Sequence, residues 1–155
     1  MTRWQEIVDG APEFASSVQA VFDAYLHKTL ATLRRDGSPR ISAVEAQFVE
    51  GDLWLGMMPD SLKARDLLRD PRMALHCATV DTTLVAGDAK VAGRAEAVDD
   101  PRIMLILAHG NEDTTGGAHL FRIDLDEVVL TRVEGDELVV DSWHEGRGVT
   151  TVRRK

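Results

Sequence analysis

The residues of this sequence best placed to do chemistry lie in one short run, Met57-Met58-Pro59-Asp60-Ser61-Leu62-Lys63-Ala64-Arg65. Its pattern is a strand end handing over to a helix start. A helix amino terminus offers unpaired backbone N–H groups and the positive end of the helix dipole. Ser61 adds a hydroxyl and Lys63 a compact charge, a combination suited to a phosphate or another anion. The same residues also make an ordinary capped helix with solvated basic side chains. Arg40, which opens an earlier extended segment, reaches this place if the two strands pair.

A second run is Asp141-Ser142-Trp143-His144-Glu145-Gly146-Arg147. Trp143 can cover an aromatic ring system, plug a barrel or touch a second subunit. His144 beside Asp141 or Glu145 is either an oriented imidazole or a surface histidine. His109 and His119 flank a glycine-containing loop at no recognised ligand spacing. Asp23, His27 and Lys28 fall on the polar side of a helical pattern, where a solvated face is the default. Cys77 sits in an apolar strand pattern and is expected to be buried and structural. There is no P-loop, no Rossmann glycine fingerprint, no HExxH, no CxxC and no GxSxG, which excludes the common nucleotide, zinc and serine-hydrolase signatures.

The elements that must position these residues follow from periodicity. Residues 12–27 predict a helix, with Phe14, Val18, Val21, Phe22, Tyr25 and Leu26 on one face. Residues 29–34, 40–49 and 53–57 predict a three-stranded meander, its turns at Asp36-Gly37-Ser38-Pro39 and Glu50-Gly51-Asp52. A short helix over 61–69, with Ser61 as N-cap, stops at Pro71. Strands over 73–80 and 84–98 follow, Gly93 marking a bend or bulge. A helix over 101–109, a mobile loop over 110–117, a hairpin of 120–133 with 137–143 and a basic tail from 147 to 155 complete the chain. Mostly antiparallel strands with interspersed short helices predict an α+β fold, a β-barrel with short flanking helices. A barrel this small leaves apolar surface for a second subunit.

Composition agrees. The 155 residues carry 18 Lys and Arg against 26 Asp and Glu, a net charge of −8, with a pI near 5.0. Such a chain lacks the electrostatic footprint for wrapping nucleic acid. One cysteine cannot close an internal disulfide, and no stretch reads as a signal peptide or a membrane span. The expectation is one domain over 1–155, soluble and cytoplasmic.

Taken together, these segments resemble the pyridoxamine 5′-phosphate oxidase-like family, whose members share a split β-barrel and use flavins or deazaflavins. The resemblance runs from about Tyr25 to Arg153. It is carried by Leu30-Ala31-Thr32-Leu33, Asp36-Gly37-Ser38-Pro39-Arg40, Ser61-Leu62-Lys63-Ala64-Arg65 with Asp70-Pro71-Arg72, Val91-Ala92-Gly93-Arg94-Ala95-Glu96, and Trp143 with Gly146-Arg147. It implies a homodimer with two cofactor sites at its interface and FMN as cofactor. Arg40, Ile41, Ser42 and Ala43 would contact the flavin and its phosphate, and the backbone from Ser42 to Val44 would line the ring. Met57 and Met58 map to the strand end, and Ser61 and Lys63 to the phosphate loop. Trp143, with Arg147, would approach from the partner subunit. Substrate would stack on the exposed ring face near the 110–117 loop, acting as a lid.

The sequence departs from the family pattern in ways that bear on affinity. Leu62 stands where an arginine is expected, Met57 and Met58 where a hydroxyl is usual, and Asp88 where a neutral amide is expected. Losing two charge-assisted contacts of about 1–3 kcal/mol each weakens binding by a few powers of ten. Glu45 would add a carboxylate if it faces inward. The implied function is therefore an FMN-dependent oxidoreductase. The alternatives are a reductase using the deazaflavin F420, whose polyanionic tail needs a basic groove, and a non-catalytic ligand-binding barrel. Catalytic residues and substrate are not legible, and no metal is implied.

Overall fold

The computed structural model describes all 155 residues. Chain order is α1 (Trp4–Gly10), α2 (Pro12–Asp23), β1 (His27–Leu33), β2 (Pro39–Val49), β3 (Asp52–Met57), α3 (Leu62–Arg69), β4 (Arg72–His76), β5 (Asp88–Ala97), α4 (Pro101–Leu107), a 3₁₀ turn (Glu112–Thr114), β6 (His119–Glu134), β7 (Glu137–His144) and β8 (Gly148–Arg154). The strands lie in the order β3-β2-β1-β4-β5-β6-β7-β8, and a β3–β6 pairing closes the first six into an antiparallel barrel. The fold is α+β, as the segment order predicts. No helix is long and apolar enough to cross a membrane.

Closure depends on β6, sixteen residues long. Its first residues pair with β3 from Met57↔His119 to Trp54↔Arg122. Its far half carries β7, from Glu127↔His144 to Glu134↔Glu137. The register against β5 shifts between Ala92 and Gly93. Gly93 is required there, because a Cβ would lie 1.9 Å from the Asp124 carbonyl oxygen. That bulge bends β5 enough to wrap a small barrel.

The core fills the barrel and continues beneath the two amino-terminal helices. Leu30, Leu53, Leu55, Leu75, Val91, Phe121, Ile123 and Leu125 are among its fully buried residues, with Val18 and Phe22 of α2 and Trp4 and Ile7 of α1. Trp4 packs on Phe48 at 4.5 Å between ring centroids, and its indole N–H donates to Gln19 Oε1 at 3.2 Å. Lys28 is 4% exposed, and its ammonium donates to the carbonyls of Leu26 and Ala46, both at 3.0 Å. Burial pushes its pKa below that of an ordinary lysine, against the pull of Asp23, Cys77 and Glu45. Cys77 is buried and free, accepts the Ala89 N–H at 3.3 Å, and has its pKa raised chiefly by burial.

Several boundaries differ from the sequence expectation. The first long helix ends at Asp23 rather than residue 27, because His27 and Lys28 already pair with Glu45 and Val44 in β2. Tyr25 and Leu26 are therefore exposed rather than core. β4 stops at His76 and β5 begins at Asp88. Between them Asp81 makes a side-chain turn that accepts the N–H and hydroxyl of Thr83, and Leu84 and Gly87 take positive φ. Residues 147–155 are not a simple tail, since β8 pairs along the whole of β7.

Candidate functional site

One open cavity of about 490 Å³ lies where β2 and β3 meet the first turn of α3, roofed by the end of α4 and the 3₁₀ segment. That volume falls in the range of small-molecule sites. Buried Val44 and Met57 form its floor, with Ala43 and exposed Met58 at its mouth. Gly56 sets its depth: a Cβ there would stand 3.3 Å from Leu107 Cδ2, so its absence lets α4 pack close to β3.

The α3 end is built by local rules. Asp60 adopts φ +57°, a left-handed conformation Asp tolerates better than most residues, and its N–H donates to His119 Nε2 at 3.3 Å. The chain then reverses into Ser61, the N-cap, whose hydroxyl accepts the Ala64 N–H at 3.4 Å. Arg65 N–H bonds to the Ser61 carbonyl. The first-turn N–H groups of Leu62 and Lys63 are the ones this arrangement leaves for a ligand. Lys63 lines the cavity, while the ion pairs of α3 use Arg65 and Arg69.

A second, shallower basin of about 540 Å³ opens beside the same helix. It is lined by Arg34, Arg35, Arg40, Arg65 and Arg69 with Asp36, Asp66 and Leu62. Its organising group is Asp66, 3% exposed. One oxygen accepts from Arg40 Nε at 2.7 Å and from the Thr32 hydroxyl at 2.8 Å; the other accepts from Arg69 at 3.2 Å. Burial alone would raise the Asp66 pKa, but the bonds from Arg40, Thr32 and Arg69 outweigh it and hold it below the usual carboxylate value. Arg34 is tied to the Pro39 carbonyl, and Asp36 accepts from Ser38.

The structure thus brings Ala43, Val44, Met57, Met58 and Lys63 to one cavity, with Ser61 capping the helix that carries Lys63. Arg40 lines the neighbouring basin, its side chain turned to Asp66. Ile41 and Ser42 continue β2 between the two, Ile41 being 74% exposed. Trp143 lies on β7 opposite Val128 and is 9% exposed within the main core. Arg147 sits in the exposed turn before β8, its N–H bonded to the His144 carbonyl. Asp88 lies at the start of β5 in a different groove, with Tyr25 and Val85.

Two groupings escaped the sequence reading. Asp66 reads as one more charge on a basic helix, and only the fold of β1 and β2 against α3 brings Thr32 and Arg40 to it. Glu45 reads as a lone carboxylate, yet it lies in the cavity between two imidazoles, 3.8 Å from His27 Nε2 and 3.8 Å from His109 Nε2. The alternating pattern of β2 could have placed Glu45 on the face opposite Val44 and Ala46. The histidines, 82 positions apart, carry no such signal. The roomiest cleft, about 890 Å³ beside α4, is lined by Asp99, Asp100 and Glu112 with no lysine or arginine, a poor setting for an anion.

Comparison with known proteins agrees with this architecture. No curated protein sequence matches the chain. Among solved structures, PhzG from Burkholderia lata 383, in complex with tetrahydrophenazine-1-carboxylic acid, superposes with a TM-score of 0.68 at 11% identity, covering 98% of this chain and 93% of that one. The conserved hypothetical protein Rv2991 from Mycobacterium tuberculosis gives 0.62 at 22% identity over 73% of this chain and 81% of that one. An F420 reductase gives 0.60 at 19% identity over 71% and 94%. At such identities these likenesses speak for the fold alone. The model of the pyridoxamine 5′-phosphate oxidase family matches residues 18–132, a span that includes β1 to β5, α3 and most of β6. With the closed six-stranded barrel and the cavity at the β3–α3 junction, that match places the chain in the pyridoxamine 5′-phosphate oxidase family.

Proposed function

We propose that this chain is an FMN-dependent oxidoreductase that works as a homodimer. The observation that carries the reading is the pairing of Lys63 and the open first turn of α3 with an apolar-floored cavity of about 490 Å³. A flavin phosphate needs a cation and backbone donors, and its ring needs a flat apolar wall with an open edge. The residues present fit that group. Lys63 and the Leu62 and Lys63 N–H groups would hold the phosphate. Ala43, Val44 and Met57 would face the ring. When bound, the flavin supplies the hydride chemistry, and the protein orients it and shields it from water.

Arg40 enters this reading differently from the sequence expectation. Its ion pair with Asp66 spends much of its charge inside the subunit, so its service to a phosphate is as part of the α3 scaffold. The second subunit is supported by apolar side chains left in the open on β2 and at the β3–α3 junction. Ile41, Met58 and Leu62 are 74%, 77% and 56% exposed. Trp143 and Arg147 remain our proposed contributors from the partner, Trp143 being 9% exposed in its own subunit.

A specific observation favours a second reading, F420 in place of FMN. Five arginines against two carboxylates line the basin next to Lys63 in a chain whose net charge is −8. A cofactor with a polyanionic tail would run from the cavity into that basin. Mass spectrometry of small molecules released by heat from the purified protein separates the readings. FMN supports the first and a deazaflavin the second. Failure to bind either when titrated to about millimolar, below about −4 kcal/mol of affinity, removes both.

A further inference from the structure

Glu45 is the one carboxylate that lines the cavity holding Lys63. Its β2 position pairs with His27 on one side and Gly56 on the other, and Leu107 of α4 packs over Gly56. The carboxylate is 40% exposed and opens into the cavity that holds Lys63. Asp52, Asp66 and Asp124, by contrast, are closed by charge-assisted or backbone hydrogen bonds, from Arg3, Arg40 and the Thr2 N–H. The nearest basic groups to Glu45 are the two imidazoles, each 3.8 Å from a different oxygen, beyond hydrogen-bond reach.

The roof adds an independent sign. His109 follows α4 at φ +53°, a left-handed position that costs a non-glycine residue about 1–2 kcal/mol. Its N–H bonds to the Ile106 carbonyl and that of Gly110 to the Leu105 carbonyl, which locks the reversal. Gly110, next in sequence, is left-handed too at φ +79°, and the two-residue reversal holds the His109 imidazole over the cavity. Backbone strain of this kind collects at ligand sites.

We propose that Glu45, framed by His27 and His109, is the subsite for a cationic nitrogen group, a protonated amine or amidinium, on the small molecule that uses this cavity. A nitrogen donor between the two imidazoles reaches both carboxylate oxygens at charge-assisted distance. Glu45 and Lys63 are the cavity's one carboxylate and one amine, of opposite sign. The cavity therefore sorts ligands by charge as well as by shape. Amines and amidines are retained, and carboxylates are turned away from the Glu45 end. This deepens the proposed function, since it rests on the same cavity being the working site and names the substrate class.

The test uses benzamidine, benzamide and benzoate, which share one ring and differ in charge. Each is titrated into the full-length protein at about pH 8, where imidazole in water is neutral, with and without added FMN. Binding is read from the side-chain NMR signals of His27 and His109. The expected result is benzamidine bound at least about tenfold more tightly than the other two, and a preference reduced to within about twofold in Glu45→Gln. Glu45→Asp, which shortens the side chain and keeps the charge, retains part of it. A benzoate preference, equal affinity for all three, no binding, or an unchanged preference in a folded Glu45→Gln protein overturns the subsite. FMN titration of the unmodified protein is a separate readout. Loss of charge sorting with FMN binding intact sinks only this inference, and absence of FMN binding with charge sorting intact sinks only the cofactor.

Discussion

Two electropositive places flank α3, and they differ in how their charges are spent. In the arginine basin Asp66 draws Arg40 and Arg69 into a buried network with Thr32, and the Leu33 and Pro39 carbonyls take donors from Arg69 and Arg34. Across the helix, Lys63 faces the cavity while the ion pairs of α3 lie elsewhere. Counting cations would rank the basin first. Accounting for their partners favours Lys63, because a charge already paired and hydrogen-bonded has less to give a ligand. The basin is partly a clamp that fixes α3 to β1 and β2, and the clamp orients the helix end on which Lys63 stands.

The largest effect should come from breaking the clamp. Asp66→Ala leaves Arg40 and Arg69 without their carboxylate, and a loss of about 3–5 kcal/mol is expected in urea denaturation. A loss under about 1 kcal/mol would show that the network is solvated and the contrast between the regions false. The same network predicts an acid response. The Asp66 pKa is lower in the folded chain than unfolded, so its stabilisation is fully present above the ordinary carboxylate value of about 3.9. It fades as pH falls through the depressed folded value. Asp66→Asn should flatten that part of the stability profile.

Next in size is the lysine. Lys63→Ala should weaken FMN by about ten- to a hundredfold and riboflavin, which lacks the phosphate, by less than about threefold, read by flavin fluorescence quenching. Equal losses for both ligands would place Lys63 in the scaffold and move the phosphate elsewhere. A smaller effect sharpens the choice of cofactor. Arg35→Gln with Arg65→Gln removes two exposed basin charges and should lower F420 affinity about fivefold while leaving FMN affinity unchanged. Smallest is the alkaline response of Lys28. Its pKa is lower folded than unfolded, so stability should rise as pH climbs from the folded value toward the ordinary lysine range, and Lys28→Met should abolish that rise.

Much of the fold was legible because its signals are local. The Glu50-Gly51-Asp52 turn, the Ser61 cap and Pro71 each act within a few residues and appear as turn, cap and helix stop; Gly93 marks its bulge by residue type, although the group that requires it, the Asp124 carbonyl, comes from β6. α1 was not legible, since a helix of seven residues cannot hold itself; burying Trp4 and Ile7 against the barrel holds it. The end of α2 is hidden in the sequence because Tyr25 and Leu26 extend its apolar rhythm, while pairing of His27 with Glu45 pulls the chain into β1. β8 looks like a tail in sequence because its residues are exposed along their length and carry no buried alternation.

At the site, the β3–α3 junction with Lys63 was legible from the order Met57 to Arg65, where strand end, cap and cation follow one another in sequence. Arg40 was legible as a residue but not in its engagement. A guanidinium goes to the nearest geometrically matched carboxylate, and only the packing of α3 on β1 and β2 reveals that this is Asp66. The Glu45, His27 and His109 grouping depends on barrel pairing and on where α4 ends.

By itself the sequence determined the α+β class, the meander-and-helix order, the absence of the common nucleotide and zinc motifs, and one good anion corner. Those follow from periodicity, turn chemistry and charge, which act between near neighbours. Tertiary structure alone decided which cations are free and which carboxylate stands between two imidazoles. Such pairings join residues from different strands, and their worth depends on burial and distance, which exist only once the barrel has closed.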